Sequence, residues 1–275
     1  MITEKYSIDP DWRNWIDTCL KKGCDKTEVF TRAIKGGGIN PDTAFALTYG
    51  EQKPRPKNKV WSNIQSNKIQ LSDREVNVIF QSIDPEIIVF GNVLSDEECD
   101  SLIELSKQKV IRSLVVGADT GNPTLHYSRT SESCSYQRGA TSLHTAIEER
   151  ISQLVNIPVE NGEGLQVLNY RSGQEYKAHY DYFTSPKSIE LHCKTAGQRT
   201  GTFIIYLSDV EAGGQTTFPK LGISVAPKKG NGLFFSYMNE QGDLDDRSFH
   251  SGHPVIEGEK WICTKWLRER PYFTP

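Results

Sequence analysis

The chain has 275 residues, 36% of them hydrophobic and 24% charged, with a formal net charge of −3. Such a composition suits a soluble protein with one large domain and a small appendage, and its faintly acidic balance indicates no general attraction to nucleic acid or an anionic membrane. The longest apolar runs, such as residues 203–207, have the length of a strand and not of a membrane span. Six cysteines (Cys19, Cys24, Cys99, Cys134, Cys193 and Cys263) form no CxxC pair, so free, mostly buried thiols are expected. The opening "MITEKYSIDPDWRNW" lacks the basic and apolar regions of a signal peptide, and a cytoplasmic location is expected.

Residues 10–49 read as three short helices. Trp12, Trp15, Ile16 and Leu20 recur at helical spacing before Gly23. Asp25 offers an N-cap with Glu28 three residues on, and Asn40 offers another with Pro41 behind it. Residues 1–50 are thus expected to form a small helical module, either a structural appendage or a domain loosely similar to ubiquitin-associated three-helix modules. Residues 51–84, polar and with two early prolines, read as a linker and connecting segment.

A different regime starts at Pro85. "EIIVFGNVLSDEECDSLIELSKQK" reads as a strand and then a helix capped by Ser95, with Glu98 completing a capping box. Leu143, Ile147, Ile151 and Leu154 share one face of a second helix. From residue 165 the chain turns almost wholly to short strands separated by Gly, Pro and Asp, the pattern of a jelly roll. The fold expected is therefore mainly β with flanking helices.

Within "KAHYDYF", His179 and Asp181 stand two apart in what reads as a strand, so both should project to the same face. By itself this is either a hydrogen-bonded pair or two ligands of a metal. A third ligand could be His250 or His253, and Lys260 follows ten residues after His250. Two histidines and one carboxylate form the facial set of non-haem Fe(II) oxygenases, which leaves coordination positions open.

Together, "LQVLNYRSGQEYKAHYDYF", "GTFIIYLSDVEAGGQTTFP", "GNGLFFSY" and "HSGHPVIEGEKWICTKWL" resemble the prolyl 4-hydroxylase-like branch of the Fe(II)/2-oxoglutarate-dependent dioxygenases. With milder likeness upstream through "SRTSES", the resemblance covers residues 85–273 and implies a double-stranded β-helix domain over 85–275. It implies Fe(II) held by His179, Asp181 and His250, and 2-oxoglutarate held by Lys260 with help from Tyr170 and Thr202. His250 is preferred because the family's ligand stands four residues before the proline of the "PV" pair, here Pro254. Tyr176, Arg199 and Trp266 match positions on the substrate side, although Trp266 could equally fill the core. O₂ is the second cosubstrate and ascorbate the expected reductant. An Asp at 181, where related halogenases carry a small residue, implies hydroxylation. The resemblance points to a prolyl residue in a peptide or protein as substrate, with a free amino acid or other small molecule as the alternative. A non-catalytic binding module is disfavoured by the intact ligand set. "GGQTTF" is expected to be a structural turn.

Overall fold

The computed structural model describes residues 8–37, 39, 43–44, 47–48, 64, 66–117, 121–239 and 241–272. Nine antiparallel strands make the larger sheet, in the spatial order Lys68–Gln70, Glu75–Ser82, Ile87–Gly91, Gly232–Ser236, Arg199–Tyr206, Lys260–Arg268, Leu165–Tyr170, Glu132–Tyr136 and Ile111–Arg112. A smaller sheet of four runs Ile223–Val225, Thr216–Phe218, His250–Gly252 and Tyr176–His179. This is the expected jelly roll.

Strand parity divides the larger sheet between two cores. On Lys260–Arg268, the residues Trp261, Cys263 and Leu267 face an outer layer of helices, while Ile262 joins the inner core. Lys260, Thr264 and Trp266 share the parity of Ile262 and line the inner cavity. On Arg199–Tyr206, Phe203 and Ile205 go outward and Ile204 and Tyr206 inward. The inner core is closed from the smaller sheet's side by Phe218 and Val255.

The outer layer consists of two amphipathic helices. Asp96–Ser106 starts with the expected capping box, Ser95 Oγ accepting from Glu98 N and Glu98 Oε2 accepting from Ser95 N at 2.8 Å. Ser142–Val155 is capped by Thr141, ends at Asn156 in the left-handed region (φ 51°), and buries Ile147, Ile151 and Leu154. The shorter helix Pro186–His192 was not anticipated from periodicity.

At the N-terminus, Pro10–Lys21 and Lys26–Gly37 are helical, and Glu28 N donates to Asp25 Oδ1 at 2.9 Å as expected. Ile16, Val29, Phe30, Ala33, Ile39 and Ala44 form a third core of their own, with Trp12 and Trp15 against it. Thr43–Ala44 and Leu47–Thr48 are helical, but the caps expected at Asn40 and Pro41, and the linker 51–63, lie outside the described residues.

Two expectations need correction. The larger sheet starts at Lys68 and not at residue 85, because Lys68–Gln70 and Glu75–Ser82 pair with each other and then with Ile87–Gly91. Their alternation is broken by a bulge between Val78 and Phe80, and Ile79 and Phe80 are exposed, so no clean period marks the segment. Second, the strand carrying His179 ends at that residue, and Asp181 sits in the bend that follows.

Candidate active site

The smaller sheet brings the two histidines together directly, since His250 and His179 are cross-strand partners. Their ring centroids lie 4.4 Å apart. Each imidazole is oriented by a backbone carbonyl two residues upstream: His179 Nδ1 meets Lys177 O at 2.8 Å, and His250 Nδ1 meets Ser248 O at 2.9 Å. Those contacts assign the proton to Nδ1 and leave the Nε2 lone pairs for a metal.

Asp181 completes the set from the bend. Its Oδ1 lies 3.2 Å from His179 Nε2 and its Oδ2 3.6 Å from His250 Nε2. One ligand atom from each of the three residues falls within 4.8 Å of the others, the only such group among the described residues. Three contacts anchor Asp181, two at the carboxylate and one at the backbone. Thr202 Oγ1 donates to Oδ2 at 2.6 Å, Tyr237 OH donates to the same oxygen at 3.1 Å, and Arg199 Nη1 donates to the Asp181 backbone oxygen at 3.0 Å. Arg199 is itself fixed by a two-pronged contact with Glu163 at 2.7 and 2.8 Å.

Protonation states favour metal binding. Burial pushes the Asp181 carboxyl up, but the facing imidazoles and Arg199 outweigh it and hold the group well below its ordinary range. Burial, reinforced by the neighbouring His179, pushes His250 down to about 4. At neutral pH the site presents a carboxylate and an uncharged imidazole at His250, the forms that ligate. Burial and the Asp181 charge keep the Tyr237 phenol well above 10, so it remains a donor.

Further along the same cavity lies Lys260, only 2% exposed. Among the described residues no carboxylate pairs with it; Nζ sits 5.4 Å from the Tyr170 ring centroid and 5.8 Å from that of Tyr206. Burial alone drives its pKa down to about 7. A buried ammonium without a counter-ion is costly, and it fits an anionic ligand that enters from outside.

The other expected residues are placed as follows. Tyr170 is the cross-strand partner of Lys260 and is buried beside it. Tyr176 stacks on His179 at 3.5 Å between centroids. Trp266 lines the cavity as strand parity requires, and its indole N–H is buried without a partner. Arg199 borders the outer cleft, but its guanidinium is engaged by Glu163, Asp181 and the Trp266 face 3.9 Å away, so it positions Asp181. Thr202, expected to bind the cosubstrate, lines the same cavity and donates to Asp181. His253 is exposed and outside the ligand group. The expected turn at Gly213 and Gly214 is instead a bulged pairing: Gly213 ends the short strand Ala212–Gly213 and faces Val255 where the register shifts, and the two glycines have φ of 80° and 70°; a Cβ on Gly213 would lie 2.3 Å from Pro254 O.

Two residues were missed. Tyr237 continues the alternation of Leu233 and Phe235 and could have been found from it. Arg129, 5% exposed and lining the cavity, lies in "SRTSES", where no period marks it; its guanidinium donates to Leu114 O at 3.0 Å and Gln166 Oε1 at 2.8 Å. From this centre a cleft of about 880 Å³ opens to the surface.

Residues 165–268 match the family model of the 2OG-Fe(II) oxygenase superfamily. Prolyl 4-hydroxylase 5 of Arabidopsis thaliana is 43% identical over 214 residues, which cover 71% of this chain and 72% of that protein. The probable prolyl 4-hydroxylase 10 of the same organism is 43% identical over 220 residues, 73% of this chain and 74% of its own. Among solved structures, the viral collagen prolyl hydroxylase of Paramecium Bursaria Chlorella virus-1, in its 2OG complex, is 30% identical with a TM-score of 0.52, over 66% of this chain and 95% of that one. The chain therefore belongs to the prolyl 4-hydroxylase-like branch of the 2-oxoglutarate- and Fe(II)-dependent oxygenases and is a 2-oxoglutarate-dependent dioxygenase.

Proposed function

We propose that this enzyme hydroxylates a prolyl residue within a peptide or protein, with His179, Asp181 and His250 as iron ligands and Lys260 as the anchor of 2-oxoglutarate. The observation that carries the reading is one cavity holding both the three-residue ligand group and a buried, unpaired ammonium. When bound, Fe(II) with 2-oxoglutarate and O₂ supplies an oxidation that couples loss of CO₂ and formation of succinate to insertion of oxygen at an unactivated C–H bond. The protein's own part is positioning and exclusion. The Nδ1 contacts of both histidines set the facing nitrogens, Thr202 and Tyr237 fix the carboxylate, and Arg199 fixes the Asp181 backbone. Lys260 would hold the distal carboxylate of 2-oxoglutarate, with the buried Tyr170 ring beside it, 5.4 Å from Nζ to the centroid.

The outer cleft supports a peptide over a free amino acid. Its lining includes the exposed apolar side chains Ile111, Leu114 and Val116, a surface larger than a single amino acid would cover. Tyr176, on top of His179, and Trp266 belong to the wall nearest the ligands and are assigned to the target proline's side. The cysteines carry no disulfide, which supports a reducing, cytoplasmic setting, and ascorbate is the proposed reductant.

The test is to incubate the protein with Fe(II), 2-oxoglutarate, ascorbate and a panel of proline-containing peptides and free amino acids. Succinate release with gain of one oxygen on a peptidyl proline is expected. Oxygen gain confined to a free amino acid would overturn the substrate assignment.

A further inference from the structure

The chain carries more acidic than basic residues, 35 against 32. Many lysines away from the site are paired with carboxylates, for example Lys68 with Glu75, Lys228 with Asp209 and Lys229 with Asp100. The cleft departs from that balance. Lys109, Arg112, Arg129 and Lys177 all line it, and among the described residues the only carboxylate in its lining is Asp181, which faces the two imidazoles.

None of the four cations has an acidic partner among the described residues. Lys109 Nζ lies 4.8 Å from the Tyr136 ring centroid and Lys177 Nζ 4.9 Å from that of Tyr127. Arg112 Nη1 donates only to Ser131 O at 3.4 Å, and Arg129 donates to carbonyl, amide and hydroxyl oxygens. Cofactors would not neutralise this excess, because the formal charges of Fe(II), Asp181, 2-oxoglutarate and Lys260 sum to zero. A cleft walled by one sign of charge concentrates ligands of the other sign.

We propose that the peptide substrate is acidic, with Asp or Glu side chains flanking the target proline and meeting Lys109, Arg112 and Lys177 at the mouth. This rests on the reading of the site as a peptidyl-prolyl hydroxylase. Exposed charge pairs are individually weak and screened by salt. Their effect belongs mainly to encounter and selection among peptides, not to the chemical step.

The experiment uses the full chain with Fe(II) and 2-oxoglutarate and three peptides of equal length sharing one proline core. The residues flanking the core are Glu, Gln or Lys, and hydroxyproline is read by mass spectrometry. The Glu peptide is expected to exceed the Gln peptide in kcat/KM by about tenfold, the combined size of a few exposed charge pairs, with the gap closing as salt rises. The triple variant K109E/R112E/K177E is expected to reverse the order. Equal efficiencies, a preference for the Lys peptide, or an unchanged order in the variant would overturn the charge preference and leave prolyl hydroxylation standing. Hydroxylation of none of the three, with 2-oxoglutarate still consumed, would instead overturn the prolyl reading and this inference with it.

Discussion

At the scale of the residue, Asp181 already has its hydrogen-bond partners in place, whereas Lys260 fits a ligand that must arrive. His179→Ala, Asp181→Ala and His250→Ala should each lower turnover to background, while His253→Ala keeps its iron; metal analysis and succinate release check this. Thr202→Val and Tyr237→Phe remove donors to Asp181 Oδ2. Each should weaken metal affinity by roughly 10- to 100-fold, the usual effect of losing a group that orients a ligand. Lys260 gives a pH signature. Its folded pKa of about 7 lies below the ordinary 10.5, so between those values the unfolded chain binds more protons and stability rises with pH. Below pH 7 both states are protonated and the burial penalty is fully present. In the absence of 2-oxoglutarate, Lys260→Met should therefore be more stable than the parent protein near pH 7, with the difference shrinking toward pH 10, while 2-oxoglutarate binding is lost. Denaturant unfolding across pH would contradict this if the variant were the less stable protein throughout. The grouping of His179, Asp181 and His250, and the placing of Lys260 in the same cavity, were legible in the sequence because their types and spacing are chemically restrictive. The salt bridge by which Glu163 holds Arg199 was not legible, because the two residues stand 36 apart in the chain and leave no local trace.

Elements with a sustained period were legible, and interrupted ones were not. The helix Ser142–Val155 announces itself through four apolar residues on one face, whereas the bulge in Glu75–Ser82 erases the alternation that would have revealed it. Nothing in the period foretold that the strand Tyr176–His179 stops before Asp181, whose carbonyl is held by Arg199 from a strand of the larger sheet. The joint between helix layer and sheet also has a polar component. Glu148 on the helix pairs with Lys265 on the central strand, both side chains being 2% exposed. Glu148→Ala should destabilise the fold by about 3–5 kcal/mol, because it leaves the ammonium buried and unpaired. Glu148→Leu with Lys265→Met should recover most of that loss. Thermal and denaturant unfolding of the single and double variants measure both effects, and an additive double variant would show that the pair is not coupled.

At the scale of the molecule, the N-terminal helices have a core separate from the two that support the site. A chain starting at Ser66 should fold, bind Fe(II) and 2-oxoglutarate, and melt close to the full protein. A chain starting at Pro85 should not, because it loses two strands of the larger sheet and the Asp73 partner of Arg150, whose contact is 2.6 Å. Iron loading and melting temperature distinguish the two, and equal behaviour would return the domain boundary to residue 85. The jelly roll itself was legible from the run of short strands after residue 165, while its N-terminal edge was hidden by irregular alternation. The central claim is that one cavity couples 2-oxoglutarate decarboxylation to oxygen insertion at a peptidyl proline. Its most direct measurement is turnover under O₂ labelled with heavy oxygen, with mass spectrometry of both products. The account predicts label in succinate and in the hydroxyl of the modified proline, formed together and both lost in Lys260→Ala. Hydroxyproline formed without 2-oxoglutarate consumption, or succinate formed at the same rate with and without every proline peptide tried, would contradict it.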